Sequence, residues 1–179
     1  MADPNPASKD RSFGPGVVEV VVLTTSAGPL ARLGHDLSFR VARLQVDLAA
    51  DAASAEVVMQ ADSLELLSPV NGRDRADILK RLRKDVLRPD RYPEIRYSAS
   101  RISQHGEGEH ATLTVNGELT LCGRTRPLRI DLVRDRKDWG GKVVIRQPDY
   151  GIKPFKVLIG GLRVAPEITI QLRVPATDP

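Results

Sequence analysis

The sequence predicts an all-β protein whose antiparallel strands close into an up-and-down barrel, with one amphipathic helix inserted between strands. Apolar and polar residues alternate along most of the chain from Val17 onward, which is typical of half-buried strands. Short turn signals separate the alternating segments, so neighbouring strands are expected to pair as hairpins. A barrel places the apolar face inside and leaves no exposed strand edge.

Several segments carry the alternation clearly. The segment Thr112–Leu121 places every second residue on one apolar face, and residues 168–174 repeat the pattern in the last strand. Three further segments share it: Leu128, Ile130 and Leu132; Val57, Met59 and Ala61; and Leu37, Phe39 and Val41, running on toward Leu44, Val46 and Leu48. The glycines that are typical of the intervening turns lie at Ala27-Gly28-Pro29, Gly106-Glu107-Gly108, Gly123-Arg124, Gly140-Gly141 and Gly160-Gly161.

Residues 73–87 have a helical pattern instead. Asn71 is placed to cap the N-terminus of this helix, and Pro89 bars its continuation. Its apolar positions recur at helical spacing: Leu79, Leu82 and Val86. Its polar face is rich in charge: Arg73, Arg75, Lys80, Arg81, Arg83, Lys84 and Arg88, against Asp74, Asp77 and Asp85. Three interpretations fit such a face: simple solvation, attraction to an anionic membrane surface, and nucleic-acid binding. Because no aromatic residues interleave with the basic ones, nucleic acid is not expected as a partner.

Composition indicates one globular domain. The chain has 179 residues, of which 41% are hydrophobic and 28% charged. We assign residues 15–176 to the domain and residues 1–14 to a disordered polar tail. The apolar runs are far shorter than the roughly 20 residues of a membrane span. No secretory signal is visible, so the sequence predicts a cytoplasmic location, or a periplasmic one if a signal was removed.

Residues that could carry chemistry are few, and the sequence predicts no catalytic set, no metal site and no cofactor. His35 precedes Asp36, but adjacent strand residues point to opposite faces, so His35 is expected to bond locally, with a ligand contact as the alternative. His105 and His110 lie in a glycine-rich turn that is expected to be solvated. Cys122 is the single cysteine, which excludes an intrachain disulfide and predicts a core thiol.

Residues 147–155 form an unusual segment with two prolines, two aromatic residues, a glutamine and a lysine. Proline lacks the N–H that a central strand needs, so the segment is limited to an edge, a bulge or a loop. Two interpretations fit equally well: a structural corner and the rim of a ligand cavity.

Several motifs occur in a recognisable order. Residues 115–127 follow the pattern G-x-L-T-x-x-G-x-T-x-P. Asp85 with residues 92–100 resembles D-x(6)-Y-P-x-I-x-F-x-S, with Tyr97 in place of Phe and Ala99 in place of Ser. Residues 149–152 are similar to D-F-G-I, and residues 34–37 to a stretch found in one branch of the same family. Together the motifs resemble the YceI-like family of lipocalin-like barrels associated with polyisoprenoid binding. Gln147 stands where that family often has an arginine.

The resemblance spans residues 17–174 and implies an eight-stranded lipocalin-like barrel that sequesters or transports a polyprenyl chain or an isoprenoid quinone without enzymatic chemistry. Strands of about 10 residues, tilted by about 40°, would enclose a tunnel of roughly 25 Å. The expected lining residues are Phe39, Val41, Met59, Leu79, Leu82, Leu119, Leu121 and Ile170. The expected polar rim consists of His35, Gln147, Tyr150 and Lys153.

Two alternatives remain open at this stage. One is a barrel filled by its own side chains that acts through a basic surface, and the other is an enzyme acting on an apolar substrate at the barrel mouth. The net charge of +4 favours anionic partners and names none. Transient contact with an anionic membrane surface and a homodimer are both compatible with the sequence.

Overall fold

The computed structural model describes residues 11–14, 16–28, 36–153 and 163–176. These residues form one antiparallel sheet, which confirms the all-β antiparallel class. Its strands are β1 (Arg11–Phe13), β2 (Glu19–Ala27), β3 (Leu37–Val41), β4 (Leu44–Leu48), β5 (Ala55–Gln60), β6 (Leu64–Leu66), β7 (Glu94–His105), β8 (Thr112–Leu121), β9 (Arg124–Asp135), β10 (Asp138–Arg146) and β11 (Arg163–Pro175).

The sheet curls round on itself. Its strand order is β1-β4-β5-β7-β8-β9-β10-β11-β2-β3-β6. Strand β2 pairs with β3 on one side and with β11, the last strand, on the other. Because β2 and β11 lie side by side, the inner faces of the strands meet in a shared apolar core.

The expected count of eight strands is wrong, since the described residues form eleven. One expected strand, residues 37–48, is divided into β3 and β4, and the short strands β1 and β6 lie where the sequence pattern predicts no strand. A turn at Gly14, whose carbonyl accepts from the N–H groups of Val17 and Val18, separates β1 from β2. Residues 42–43 separate β3 from β4, and a 3-10 turn at Ala61–Ser63 separates β5 from β6.

The boundary of the expected N-terminal tail also changes. Arg11–Phe13 fall within the expected disordered tail, but they form β1 and pair with β4 in the register Arg11 to Leu48 and Phe13 to Val46. The ring of Phe13 packs against the apolar core, and this burial stabilises the short strand. Residues 1–10 lie outside the described residues.

One expected turn lies inside a strand. Gly140 and Gly141 belong to β10, and the hairpin that joins β9 to β10 turns at residues 136–137 instead. A Cβ atom on Gly141 would lie 2.6 Å from the carbonyl oxygen of Asp131. This glycine therefore permits close approach of the neighbouring strand.

The predicted helix and its cap are confirmed. Helix α1 (Gly72–Arg81) continues into a π-helical turn, Leu82–Leu87, and the two together are called the helical segment below. The Oδ1 atom of Asn71 accepts a hydrogen bond of 2.9 Å from the backbone N–H of Asp74, as an N-cap residue does. Among the described residues, the structure contains no helix with the length and hydropathy needed to span a membrane.

Candidate functional site

The curled sheet surrounds a cavity of about 450 Å³. Each of the eleven strands contributes to its wall, and the π-helical turn covers part of it through Leu82, Val86 and Leu87. The volume lies within the range of roughly 300–1,000 Å³ that is usual for small-molecule sites. This cavity is the candidate functional site.

The alternation of the strands explains why the wall is apolar. In β8, Leu113, Val115, Leu119 and Leu121 line the cavity, while the intervening Glu118 is exposed. The inner residues of β11 do the same: Ile168, Ile170, Leu172 and Val174. Successive strand side chains point to opposite faces, so one face of each strand supplies the wall.

The structure places seven of the eight expected lining residues on the cavity wall: Phe39, Val41, Met59, Leu82, Leu119, Leu121 and Ile170. Leu79 packs against the core without reaching the wall. The reason is that only the C-terminal part of the helical segment covers the cavity. Contact of these residues with a ligand stays a prediction.

Three of the four expected rim residues lie among the described residues, and only one of these three, Gln147, is on the wall. Gln147 is buried and lies on the wall. Tyr150 is buried away from the wall, and this burial raises the pKa of its phenol. Lys153 is exposed and does not line the wall, although the residue before it, Ile152, does. His35 lies outside the described residues.

The described part of the wall carries no Asp, Glu, Lys, Arg or His side chain. Its polar side chains are those of Thr24, Tyr97, Gln104 and Gln147. Nor do the described residues include a group of three or more His, Cys, Asp or Glu side chains placed to hold a metal ion. The cavity is therefore an electrically neutral environment wherever its wall is described.

Tyr97 is a wall residue that sequence reasoning missed. Its hydroxyl donates to the carbonyl of Leu128 at 3.0 Å, with the carbonyl of Val115 at 3.3 Å as a second acceptor. Burial raises the pKa of this phenol to about 12, so it is neutral at ordinary pH. The alternation in β7 was the available signal, because Ile95, Tyr97 and Ala99 all line the cavity.

Val20, Val22 and Trp139 are further wall residues that the sequence did not reveal. The two valines sit in the continuous apolar run of residues 20–23, where the alternation of inner and outer positions is hidden. Trp139 precedes the two glycines whose pattern is typical of a turn. If these glycines are assigned to a strand, the alternation places Trp139 on the face toward the cavity.

Gln147 supplies a polar group with unused hydrogen-bonding capacity. Its Nε2 atom donates to the carbonyl of Ala165 at 2.9 Å. Its Oε1 atom and its second amide hydrogen have no hydrogen-bond partner among the described residues. An amide in this state can both accept from and donate to a ligand.

Cys122 joins the helical segment to the β8–β9 hairpin. The residue is 5% exposed, and its thiol faces the carbonyls of Val86, at 3.5 Å, and Leu87, at 3.6 Å. Burial raises the pKa of the thiol, and Arg88 opposes that shift. The expected core thiol is confirmed.

The 3-10 turn Gln147–Tyr150 lies near the β8–β9 hairpin, since a Cβ atom on the following Gly151 would be 2.9 Å from the Cζ atom of Arg124. We call the end of the cavity formed by the helical segment, this hairpin and Gln147 the helical end.

Comparison with known proteins places this architecture in a family. The family model of the YceI-like domain matches residues 23–176. The chain belongs to the YceI-like domain family. This confirms the resemblance seen in the sequence motifs.

Two solved structures are similar in fold to this chain. BcnA of Burkholderia cenocepacia is 16% identical, with 89% of this chain and 96% of that chain covered and a TM-score of 0.66. A polyisoprenoid binding domain from Saccharophagus degradans, implicated in plant cell wall breakdown, is 10% identical, with 92% and 97% covered and a TM-score of 0.61. No curated protein matches the chain.

Proposed function

We propose that this YceI-like protein binds a long apolar lipid of the isoprenoid type, a polyprenyl chain or an isoprenoid quinone, and sequesters or transports it without converting it chemically. The observation that carries the proposal is the continuous apolar wall around a cavity of about 450 Å³. Burial of apolar surface contributes about 25 cal/mol per Å² to affinity. The polyisoprenoid binding described for the Saccharophagus degradans domain supports the choice of ligand class.

The absence of charged side chains from the described wall restricts the charge that a bound ligand can carry. A carboxylate or phosphate held inside the described wall would face no cationic side chain, and an unpaired buried charge is costly. The part of the ligand inside the cavity is therefore uncharged. A hydroxyl or carbonyl head group at the helical end would meet the Oε1 atom and the second amide hydrogen of Gln147, which have no partner among the described residues.

Identification of the bound molecule is the direct test. The protein is purified from its host without detergent, extracted with organic solvent, and the extract is analysed by mass spectrometry. We expect one neutral isoprenoid lipid per chain. A folded protein whose extract contains no lipid, and which fails to take up added prenyl lipids, would overturn the proposal.

Two adjacent valines offer a matched test of the binding place. Val143 lines the cavity, whereas Val144 is 58% exposed on the opposite face of β10. Val143→Trp places an indole ring in the cavity, and we expect it to weaken binding of a fluorescent prenyl lipid about tenfold or more, because the ring occupies space that the lipid would take. Val144→Trp leaves binding unchanged. Equal affinities of the two variants would contradict binding inside the cavity.

A further inference from the structure

The net positive charge of the protein is concentrated around the helical segment. Residues 67–93 contain eight Lys or Arg residues and four Asp residues, a net charge of +4. This equals the net charge of the whole chain, so the remaining residues are balanced. The excess is thus confined to one segment of the chain.

Several cations of this surface are not neutralised by neighbours. Arg73, Lys80 and Lys84 are exposed and form no ion pair with the described residues. Arginines on the outer face of the sheet differ, since Arg40 pairs with Glu65 at 2.7 Å and Arg129 with Asp131 at 2.9 Å.

Two further arginines extend this surface. Within the described part of the chain, Arg83 makes a long hydrogen bond of 3.5 Å to the carbonyl of Asp62 and no ion pair, and Arg91 lies over the ring of Tyr92. Both are exposed. We name these five residues the basic helical face: Arg73, Lys80, Arg83, Lys84 and Arg91.

The same segment covers one end of the cavity. Leu82, Val86 and Leu87 line the wall from inside, while Arg83 and Lys84 on the same turn face solvent. Leu67, shortly before the segment, leaves an apolar side chain 44% exposed. The segment therefore presents positive charge to solvent and an apolar surface to the cavity, and an exposed leucine precedes it.

We propose that the basic helical face docks this protein on an anionic phospholipid bilayer, with the helical end of the cavity toward the lipid. The inference rests on the proposed function, because a carrier of an apolar lipid must exchange its cargo with a membrane. Anionic phospholipids attract basic side chains at the membrane surface, and each such contact strengthens binding about fivefold. Docking in this orientation brings the end covered by the π-helical turn to the bilayer surface.

The test measures sedimentation of the full chain with vesicles of phosphatidylcholine alone and with vesicles in which about a third of the lipid is phosphatidylglycerol. The wild-type protein binds only the anionic vesicles, and added salt releases it. Lys80→Glu with Lys84→Glu weakens that binding about 30-fold or more, because two attractions are lost and two repulsions added. The matched control is Lys137→Glu with Lys142→Glu, which makes the same charge change on exposed residues of the β9–β10 hairpin and β10 and leaves binding unchanged.

Each other outcome overturns the docking proposal. Absence of wild-type binding to anionic vesicles removes it directly. Equal losses in the two double variants show that overall charge, and not the helical face, governs binding. Tighter binding of the wild-type protein to single-stranded DNA than to the anionic vesicles, lost in the Lys80→Glu/Lys84→Glu variant alone, assigns the face to nucleic acid.

Uptake of a fluorescent prenyl lipid in vesicle-free solution keeps this test separate from that of the proposed function. Neither lysine lies on the cavity wall, so both double variants take up the lipid as the wild type does. Uptake without docking overturns the docking proposal alone. Docking without any uptake overturns the proposed function, and with it the assignment of cargo exchange to this surface.

Discussion

The ring of Tyr97 lies so close to Gly117 that a Cβ atom on residue 117 would be 2.9 Å from the Cζ atom of the tyrosine. The same Cβ atom would be 2.3 Å from the backbone carbonyl oxygen of Ser98 on β7. Gly117 pairs with Ala99 across the β7–β8 ladder, next to the pairing of Tyr97 with Leu119. The glycine therefore makes room for an aromatic ring on the cavity wall.

Gly117→Ala is expected to lower the free energy of unfolding by about 1–3 kcal/mol, since the new methyl group overlaps backbone atoms that cannot move aside. Chemical denaturation measures the change. Gly140→Ala is the matched control, because Gly140 lies in β10 and a Cβ atom added there would meet no atom within 4 Å. Equal effects of the two substitutions would contradict the close approach.

Tyr97→Phe tests the hydrogen bonds of the buried phenol. Loss of the bonds to Leu128 and Val115 is expected to lower the free energy of unfolding by about 1 kcal/mol at neutral pH, as measured by denaturation. Burial raises the pKa of Tyr97 from 10.0 to about 12 in the folded protein. Its stabilising contribution is therefore complete below pH 10 and is lost as the pH rises toward 12, because the unfolded chain releases the proton first.

The difference between wild type and Tyr97→Phe isolates this titration from that of the other tyrosines and the lysines. We expect the wild type to lose more unfolding free energy than the variant between pH 10 and 12. Parallel pH profiles would show that the phenol ionises as easily in the folded protein as in the unfolded chain.

Local pattern made much of this fold predictable. Thr112–Leu121 agrees with β8 at both ends, and Asn71 caps the helix as its position suggested. The predictions that were wrong concern features that depend on packing between segments distant in the sequence. Leu79 and Leu82 follow the same helical pattern, and only the docking of the helical segment on the sheet decides that Leu82 alone reaches the cavity. The pair Gly140-Gly141 is typical of a turn in the sequence, and only the close approach of Asp131 on β9 explains a glycine at position 141 within a strand.

Asn71→Ala tests whether the helical segment opens independently of the sheet. The substitution removes the cap on Asp74, and loss of an N-cap costs about 1 kcal/mol. Cys122 reports the opening, because its buried thiol lies under the carbonyls of Val86 and Leu87. We expect Asn71→Ala to accelerate labelling of Cys122 by a thiol reagent about fivefold at constant pH.

Asn71→Ser is the control for this measurement, since serine also accepts from the helix N-terminus. Its labelling rate is expected to stay close to that of the wild type. A labelling rate that is the same in all three proteins would show that Cys122 becomes accessible by a route other than opening of the helical segment.

Gln147→Leu tests the orientation of the ligand in the cavity. The amide has an acceptor and a donor without partners among the described residues at the helical end, whereas Gln104, the other glutamine of the described wall, belongs to the far half of β7. A hydrogen bond contributes about 0.5–1.5 kcal/mol. Gln147→Leu is therefore expected to weaken binding of geranylgeraniol about two- to tenfold, measured by fluorescence competition, and to leave unchanged the binding of the same hydrocarbon chain without its hydroxyl.

Gln104→Leu distinguishes the two ends of the cavity. If the head group lies at the helical end, this variant binds both compounds as the wild type does. A selective loss of the alcohol in Gln104→Leu would reverse the orientation of the chain. Because the basic helical face and Gln147 lie at the same end, the expected orientation lets the head group be the last part of the lipid to enter from a bilayer and the first to leave.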